Sequence, residues 1–370
     1  MPTVDSPAAG HLRKGDTELL KGLGILMIAL HNYFHFVDPS PGENEFRFDG
    51  GNVSRLFGMV GQQPLETPNL LFDYFGHYGV QLFVFLSAYG LTRAYAGREI
   101  RWAPFFLKRV AKIYPTLVIA VAAYLLFALT PWHQDLAWEL KSCAVALSLL
   151  SGFVPGYQLS AVGPWWFFSF IFQFYAVFPL LNRLATLYGT PALAAVAVAG
   201  LVVTILADPI LYPLGFEMGM FGTVVGHLPV ICLGVYMARA DRFAVDRKLA
   251  LAAAVVVVFG NWFEPLWYLM PVCVTLLFLA AVPAAIAWLR AQPLAHRFVG
   301  YCGAVSLPLF TVNGFLREPF VRPANGFHSW YLSLALAVLF LATSLGAAQA
   351  VQWLEQAGRR WFARRLAARS

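Results

Sequence analysis

The chain is dominated by apolar runs that short polar segments separate. Runs of about 18 to 25 residues, long enough to cross roughly 30 Å of hydrocarbon as helices, recur from position 19 almost to the C-terminus. We place the predicted spans at 19–37, 73–95, 105–130, 164–182, 191–207, 219–238, 248–263, 266–289, 298–317 and 330–354. The pattern predicts an all-α polytopic membrane protein with about ten transmembrane helices.

Two stretches between these spans stand out. Segment 137–160 has an apolar centre of only about a dozen residues followed by Gly and Pro, which predicts an interfacial or re-entrant helix rather than a crossing. The loop 38–72 is the longest outer loop and is acidic, aromatic and rich in Gly and Pro. Loops of this length are often functional lids, and disordered packing between helices is the alternative.

The distribution of Lys and Arg predicts that both termini are cytoplasmic. With that orientation, all but five of the 26 Lys and Arg residues lie in inner segments or at inner helix ends. We therefore predict a cytoplasmic N-terminal segment at 1–18, with no removable signal peptide, and a basic cytoplasmic tail at 355–370. A simple stop-transfer anchor is the alternative interpretation of the tail. The five outer residues are Arg47, Arg55, Lys141, Arg317 and Arg322.

Composition supports the membrane assignment. The chain of 370 residues is 59% hydrophobic and 12% charged, with a mean hydropathy of +0.64. Its net charge of +7 is explained by cations on the cytoplasmic face, so membrane lipids rather than nucleic acid are the expected partners. The four cysteines are far apart and show no metal-ligand spacing, so we predict no metal.

The first span carries the most informative polar residues. In "LLKGLGILMIALHNYFHF", Lys21 and His31 are ten residues apart, about 15 Å along a helix. Ionisable groups inside a membrane cost several kcal/mol unless they pair or line a polar cavity. Lys21 is predicted at the cytoplasmic mouth, His31 at mid-depth or above, and His35 one turn further out. A neutral histidine can accept a proton from a hydroxyl, and a histidine bonded to a neighbouring helix is the alternative.

Five segments, in this order, resemble the membrane-bound acyltransferase 3 family: "LLKGLGILMIALH", "YGVQLFVFLSAYGL", "FFLKRVAKIYP", "WWFFSFIFQFYAVFPLL" and "SLPLFTVNG". The family comprises ten-span enzymes that O-acylate envelope polysaccharides, related glycans or small molecules. The resemblance implies that 19–354 forms a transmembrane acyltransferase-like domain.

The resemblance implies a basic donor site at the inner face. The family's cation and histidine in the first helix fall on Lys21 and His31, and its basic pair in the third helix falls on Arg109 and Lys112, with Lys108 beside them. Cations at the inner ends of two helices would bind the phosphates of a cytoplasmic acyl-CoA, either acetyl-CoA or another acyl-CoA. Positive-inside anchoring alone is the alternative.

The resemblance also implies catalytic groups. His31 is expected to act as general base or as a covalent acyl relay. The family's serine and tyrosine fall on Ser87 and Tyr175, and the position of its late histidine is Asn313. These three are expected to hold the carbonyl oxygen as it gains charge, and hydrogen bonds between helices are the alternative. The glutamate common four residues before the tyrosine is Ile171 here.

Further aromatic and titratable residues are predicted on the outer side of the bundle. Trp165, Trp166 and His77 lie near the predicted outer interface, where aromatic faces can stack on sugar rings or form an ordinary aromatic belt. His35 and His227 are further candidates for binding the acceptor.

Together, these patterns predict a multi-pass inner-membrane acyltransferase. It is expected to move an acyl group from cytoplasmic acyl-CoA to a hydroxyl of an envelope polysaccharide or its lipid-linked precursor. One alternative is a solute or lipid transporter that uses intramembrane His and Lys. Another is a non-catalytic membrane protein that binds acyl-CoA or glycan. The oligomeric state is left open.

Overall fold

The computed structural model describes residues 10–129, 135–240 and 243–367, and within these ranges the chain is helical and contains no strand. The α-helices, in chain order, are α1 (Lys14–Phe34), α2 (Gly51–Gln62), α3 (Thr67–Phe75), α4 (Gly79–Ala94), α5 (Trp102–Ala128), α6 (Leu136–Leu147), α7 (Trp166–Leu211), α8 (Leu228–Arg239), α9 (Arg247–Phe259), α10 (Glu264–Trp267), α11 (Met270–Ala291), α12 (Pro293–Ala304), α13 (Ser306–Leu316), α14 (Glu318–Phe327) and α15 (Trp330–Ala367).

The helical class is confirmed, and every predicted span coincides with at least one of these helices. By length and composition, four segments can each cross a bilayer, and a fifth is counted if α12 and α13 form one bent span. The ten crossings and the cytoplasmic termini therefore remain predictions. The four segments are Trp102–Ala128, Gly163–Leu214, Met270–Ala291 and Trp330–Trp361.

Several predicted boundaries were wrong. Helix α7 runs through two predicted spans and is interrupted at Gly189, whose φ of 68° and ψ of −153° are readily adopted only by glycine. Helices α12 and α13 replace one straight span with a bend of 83°. Helix α1 begins inside the predicted N-terminal segment, and α15 continues through the predicted tail to Ala367. Residues 1–9 and 368–370 of those two segments lie outside the described residues.

Helix α1 lies at the centre of the bundle. It packs against α3, α4, α12, α13 and α15, so most of its length contacts protein. Because it faces other helices and a polar site, it can carry Lys21, His31 and His35 and still be buried. These polar residues also explain why α1 is not among the strongly apolar segments.

The contact between α1 and α12 depends on glycine. A Cβ atom on Gly22 would overlap the backbone carbonyl of Val299, and one on Gly303 would overlap the carbonyl of Glu18. The two backbones therefore touch, as small residues allow at helix interfaces in membranes. This close approach fixes the height of α1 within the bundle.

The loop after α1 is folded against the helices. The indole nitrogen of Trp267 donates to the carbonyl oxygen of Asn44 at 2.6 Å, and the Asn52 amide donates to the Asn44 side-chain oxygen at 2.7 Å. These bonds hold residues 43–46 over the outer part of α1. The predicted lid is thus a packed structure in contact with the first helix.

We expect Gly303→Ala to destabilise the protein by about 1–3 kcal/mol, because the added methyl group overpacks a backbone contact. The measurement is thermal unfolding of the detergent-solubilised protein. Gly300→Ala, on the same helix, is the matched control, because its Cβ would meet only a Leu19 methyl at an ordinary 3.9 Å. Equal unfolding temperatures for the two variants would contradict the account of this interface.

Candidate functional site

His31 is held in one orientation by a single hydrogen bond. It is buried in α1, and its Nδ1 lies 2.7 Å from the backbone carbonyl oxygen of Asp73 in α3. A carbonyl oxygen only accepts hydrogen bonds, so the Nδ1–H of His31 must be the donor. The Nε2 atom of the neutral ring then carries the lone pair. This is the tautomer required of a proton acceptor at Nε2.

Two more imidazoles surround this ring. The His35 Nδ1 lies 3.1 Å from the Asp73 carboxylate and donates to it. The ring centroids of His35 and His77 lie 5.3 Å and 5.5 Å from that of His31. His77 is buried, and neither of its ring nitrogens has a hydrogen-bond partner among the described residues. We call His31, His35 and His77 the histidine cluster.

Two glutamates of the loop complete the polar site. Glu45 Oε2 lies 4.0 Å from His31 Nε2, and Glu43 Oε2 lies 3.5 Å from His77 Nδ1. Glu43 also accepts a hydrogen bond from the Glu45 amide at 2.6 Å. Burial raises the pKa of Glu43 to about 7, and it raises the pKa of Glu45 well above the usual value, with the nearby Glu43 adding to the effect.

Sequence reasoning missed Glu43, Glu45 and Asp73. Two acidic residues separated by one position, early in an acidic loop that follows two histidines, were the available signal. The hydrophobic pattern cannot show that this loop folds back onto α1. Asp73 begins a predicted span, and its contact with His31 uses its backbone carbonyl, which every residue possesses.

A glycine brings the segment after α3 against His31. A Cβ atom on Gly76 would lie 2.6 Å from the Cβ of His31 and 2.8 Å from the carbonyl oxygen of Met27. The absence of that atom lets the chain at 76–78 approach α1 closely enough to place His77 beside His31. The local sequence therefore supports the geometry of the cluster.

A basic cavity of about 830 Å³ lies toward the predicted inner face. Helix α15, which the sequence did not connect with the site, adds Gln352, Glu355 and Arg359 to its wall. Arg359 forms an ion pair with Glu355 at 2.8 Å. This cavity is lined by all four predicted donor-binding cations, Lys21, Lys108, Arg109 and Lys112. It is also lined by the predicted polar groups of the second and fourth spans, Ser87 and Tyr175.

A small second cavity of about 10 Å³, enough for roughly one water molecule, lies on the other side of Val80. Glu45 and His77 line it together with Trp166 and His227. The Trp166 and His227 rings are stacked with centroids 6.0 Å apart. Val80 lines both cavities, so the two lie close together on either side of α4 residues.

Two predicted site residues lie elsewhere. Asn313 lines neither cavity, because its amide nitrogen donates to the carbonyls of Leu309 and Phe310 in its own helix and its oxygen accepts from Asn32 at 2.6 Å. Trp165 also lines neither cavity, and its buried indole donates to the Thr311 carbonyl oxygen at 2.9 Å. For Asn313 the interhelical hydrogen bond is the alternative that the sequence analysis gave, whereas the sequence analysis did not consider such a bond for Trp165.

One group of residues could hold a metal ion. Within the part of the chain that the structure describes, His31, His35 and Glu43 each offer a ligand atom, and these atoms lie within 4.8 Å of one another. Imidazole nitrogen and carboxylate oxygen are ligands typical of zinc and related divalent ions. The sequence analysis predicted no metal, because it found no metal-ligand spacing and did not consider Glu43.

The buried histidine, the basic cavity and the apolar helices describe a membrane protein with a polar site inside its helical bundle. The family model of acyltransferase 3, an acyltransferase domain, matches residues 16–353, nearly the whole chain. The chain therefore belongs to the acyltransferase 3 family and is a membrane acyltransferase. Searches of curated proteins and of solved structures gave no match.

We expect Gly76→Ala to lower acyl transfer by about 10-fold to 100-fold, because a displacement of about 1 Å at a reacting group is costly. The added methyl would push against the Cβ of His31. The measurement is the transfer rate per folded protein in membranes. Gly90→Ala in α4 is the control, since its Cβ would meet no atom within 4 Å. Equal rates for both variants would show that this contact does not position His31.

Proposed function

We propose that the protein transfers an acyl group, most simply acetyl, from cytoplasmic acyl-CoA to a hydroxyl of an envelope polysaccharide or its lipid-linked precursor in the inner membrane. The observation that carries this proposal is that α1 carries both the buried His31 and two residues, Lys21 and Ile28, that line the basic cavity. Family membership supplies the class of reaction, and the chemistry of the two sides supplies the substrates.

The basic cavity supports a donor that carries phosphate groups. Lys21, Lys108, Arg109 and Lys112 line it, and Arg109 Nε has no hydrogen-bond partner among the described residues. Phosphate groups match such a set in charge and in hydrogen bonding. Ile28, which lies three residues before His31 on α1, and Val80 both line this cavity. A thioester bound there would point toward the histidine cluster.

The tautomer of His31 supports its role as a general base. The acceptor hydroxyl attacks the thioester carbonyl carbon while its proton passes to His31 Nε2. The carbon–sulfur bond breaks, and the CoA thiolate takes the proton back from the imidazolium. Ser87 and Tyr175 line the donor side and are placed to donate hydrogen bonds to the carbonyl oxygen.

We expect the acceptor to approach the histidine cluster from its predicted outer side. The side chain of His35 is 33% exposed, so this end of the site is open. Trp166 and His227 lie next to Glu45 and His77 around the small second cavity, which has room for about one water molecule or one hydroxyl group rather than a whole sugar ring. A hydroxyl that enters there reaches His31 from the side opposite the donor.

We expect His31→Ala to reduce transfer of radiolabel from acetyl-CoA to glycan by at least about 100-fold, the usual contribution of a general base. The assay uses membranes that contain equal amounts of folded protein. His296→Ala, which removes an exposed histidine of α12, is the matched control and should behave as wild type. Equal label for His31→Ala and wild type would exclude His31 as the base.

We expect Arg109→Ala to raise the KM for acyl-CoA about 10-fold or more with a smaller change in kcat, since a hydrogen bond to a charged group contributes about 1.5–3 kcal/mol. Initial rates across donor concentrations give both constants. Arg183→Ala removes an exposed arginine outside the basic cavity and is the control. An unchanged KM for Arg109→Ala would overturn its role in donor binding.

A further inference from the structure

The two histidines of α1 have the spacing of a metal-binding pair. His31 and His35 are four residues apart, which places both rings on one face of the helix, as in helical zinc motifs. Glu43, from the loop that folds over α1, brings a carboxylate to the same point. One ligand atom from each of the three lies within 4.8 Å of the others. Donors about 2.0–2.2 Å from a tetrahedral zinc ion lie somewhat closer together, so small side-chain movements suffice.

Asp73 orients the imidazole rings of His31 and His35 by accepting a hydrogen bond from each. Its backbone carbonyl accepts from His31 Nδ1 at 2.7 Å, and its carboxylate accepts from His35 Nδ1 at 3.1 Å. Histidines that bind metals almost always donate their other ring N–H to a carbonyl or carboxylate in this way. One residue therefore fixes the tautomer of both histidines and leaves the Nε2 lone pairs available.

The charge and polarity around this point also favour a cation. Glu43, Glu45 and Asp73 bring three carboxyl groups around the histidine cluster. His77 is buried next to Glu43, and both its ring nitrogens are without hydrogen-bond partners among the described residues. A divalent ion would neutralise the carboxylates and could engage the His77 ring.

We propose that His31, His35 and Glu43 form a binding site for a divalent transition-metal ion of the Zn²⁺ class. An ion held there occupies the Nε2 lone pair of His31 and stops acyl transfer. The site opens to the outer compartment through His35, so the metal content of that compartment regulates the enzyme. The inhibition rests on the proposed role of His31 as base, whereas binding of the ion does not.

The binding test uses full-length, detergent-purified protein that has been stripped with a chelator. Zinc chloride titrated by calorimetry should give one saturable site per chain. His35→Ala and Glu43→Gln should each weaken this binding by at least about 10-fold, and His296→Ala should leave it unchanged. Absence of saturable binding, or equal affinity for wild type and both site variants, would overturn the proposal.

Zinc X-ray absorption of the wild-type protein keeps the test independent of how the variants fold. The expected spectrum shows imidazole nitrogen at about 2.0–2.1 Å. A spectrum of oxygen ligands alone would exclude the site.

The regulatory arm measures acyl transfer at increasing Zn²⁺. Transfer by wild type should fall as the calorimetric site fills and should return when EDTA is added. Transfer that rises with zinc occupancy would overturn both the inhibitory role and His31 as base. Zinc binding that leaves transfer unchanged would overturn the regulation alone. If no transfer is detected without metal, the proposed function fails while the binding result still stands.

Discussion

The hydrogen bond from His31 Nδ1 to the backbone carbonyl of Asp73 is the interaction on which the proposed chemistry depends. It sets the tautomer of a buried ring and therefore decides which nitrogen can accept a proton or bind an ion. The packing of the helices maintains this hydrogen bond. Glycine contacts fix the position of α1 against α12, and Gly76 allows the chain after α3 to approach α1 closely. A displacement of α12 or of the chain after α3 would move His31 away from the Asp73 carbonyl without removing any reacting group.

The site has two sides with different chemistry, and α1 connects them. Near its N-terminal end, cations line a cavity large enough for a phosphate-rich donor, and near its C-terminal end carboxylates and imidazoles meet the loop. Val80 lines the cavities on both sides. Such a division suits a reaction whose substrates come from opposite compartments, because neither substrate has to cross the membrane. The carboxylates on the outer side make the same ring accessible to control by metal ions.

The predicted helical class is confirmed, and the four cations that the sequence grouped line one cavity, while their binding of a donor stays a prediction. Long apolar runs and clustered cations are local features that keep their meaning in any fold, so Lys21, Lys108, Arg109 and Lys112 could be grouped at one face. Helix ends and bends were harder, because Gly189 and the junction of α12 with α13 depend on packing between distant segments. The loop contribution could not be predicted, since Glu43 and Glu45 reach His31 only through contacts such as that of Trp267 with Asn44. Asn313 was placed in the site by resemblance, yet carbonyls of its own helix take its donors.

The most direct measurement is the structure of the protein bound to a non-reactive thioether analogue of acetyl-CoA, determined with a chelator present. The account predicts that the phosphates contact Arg109 and Lys112, and that the acyl carbon lies next to Val80 on the side facing His31 Nε2. A donor bound outside the basic cavity, or a His31 ring whose Nε2 faces away from the acyl carbon, would contradict it.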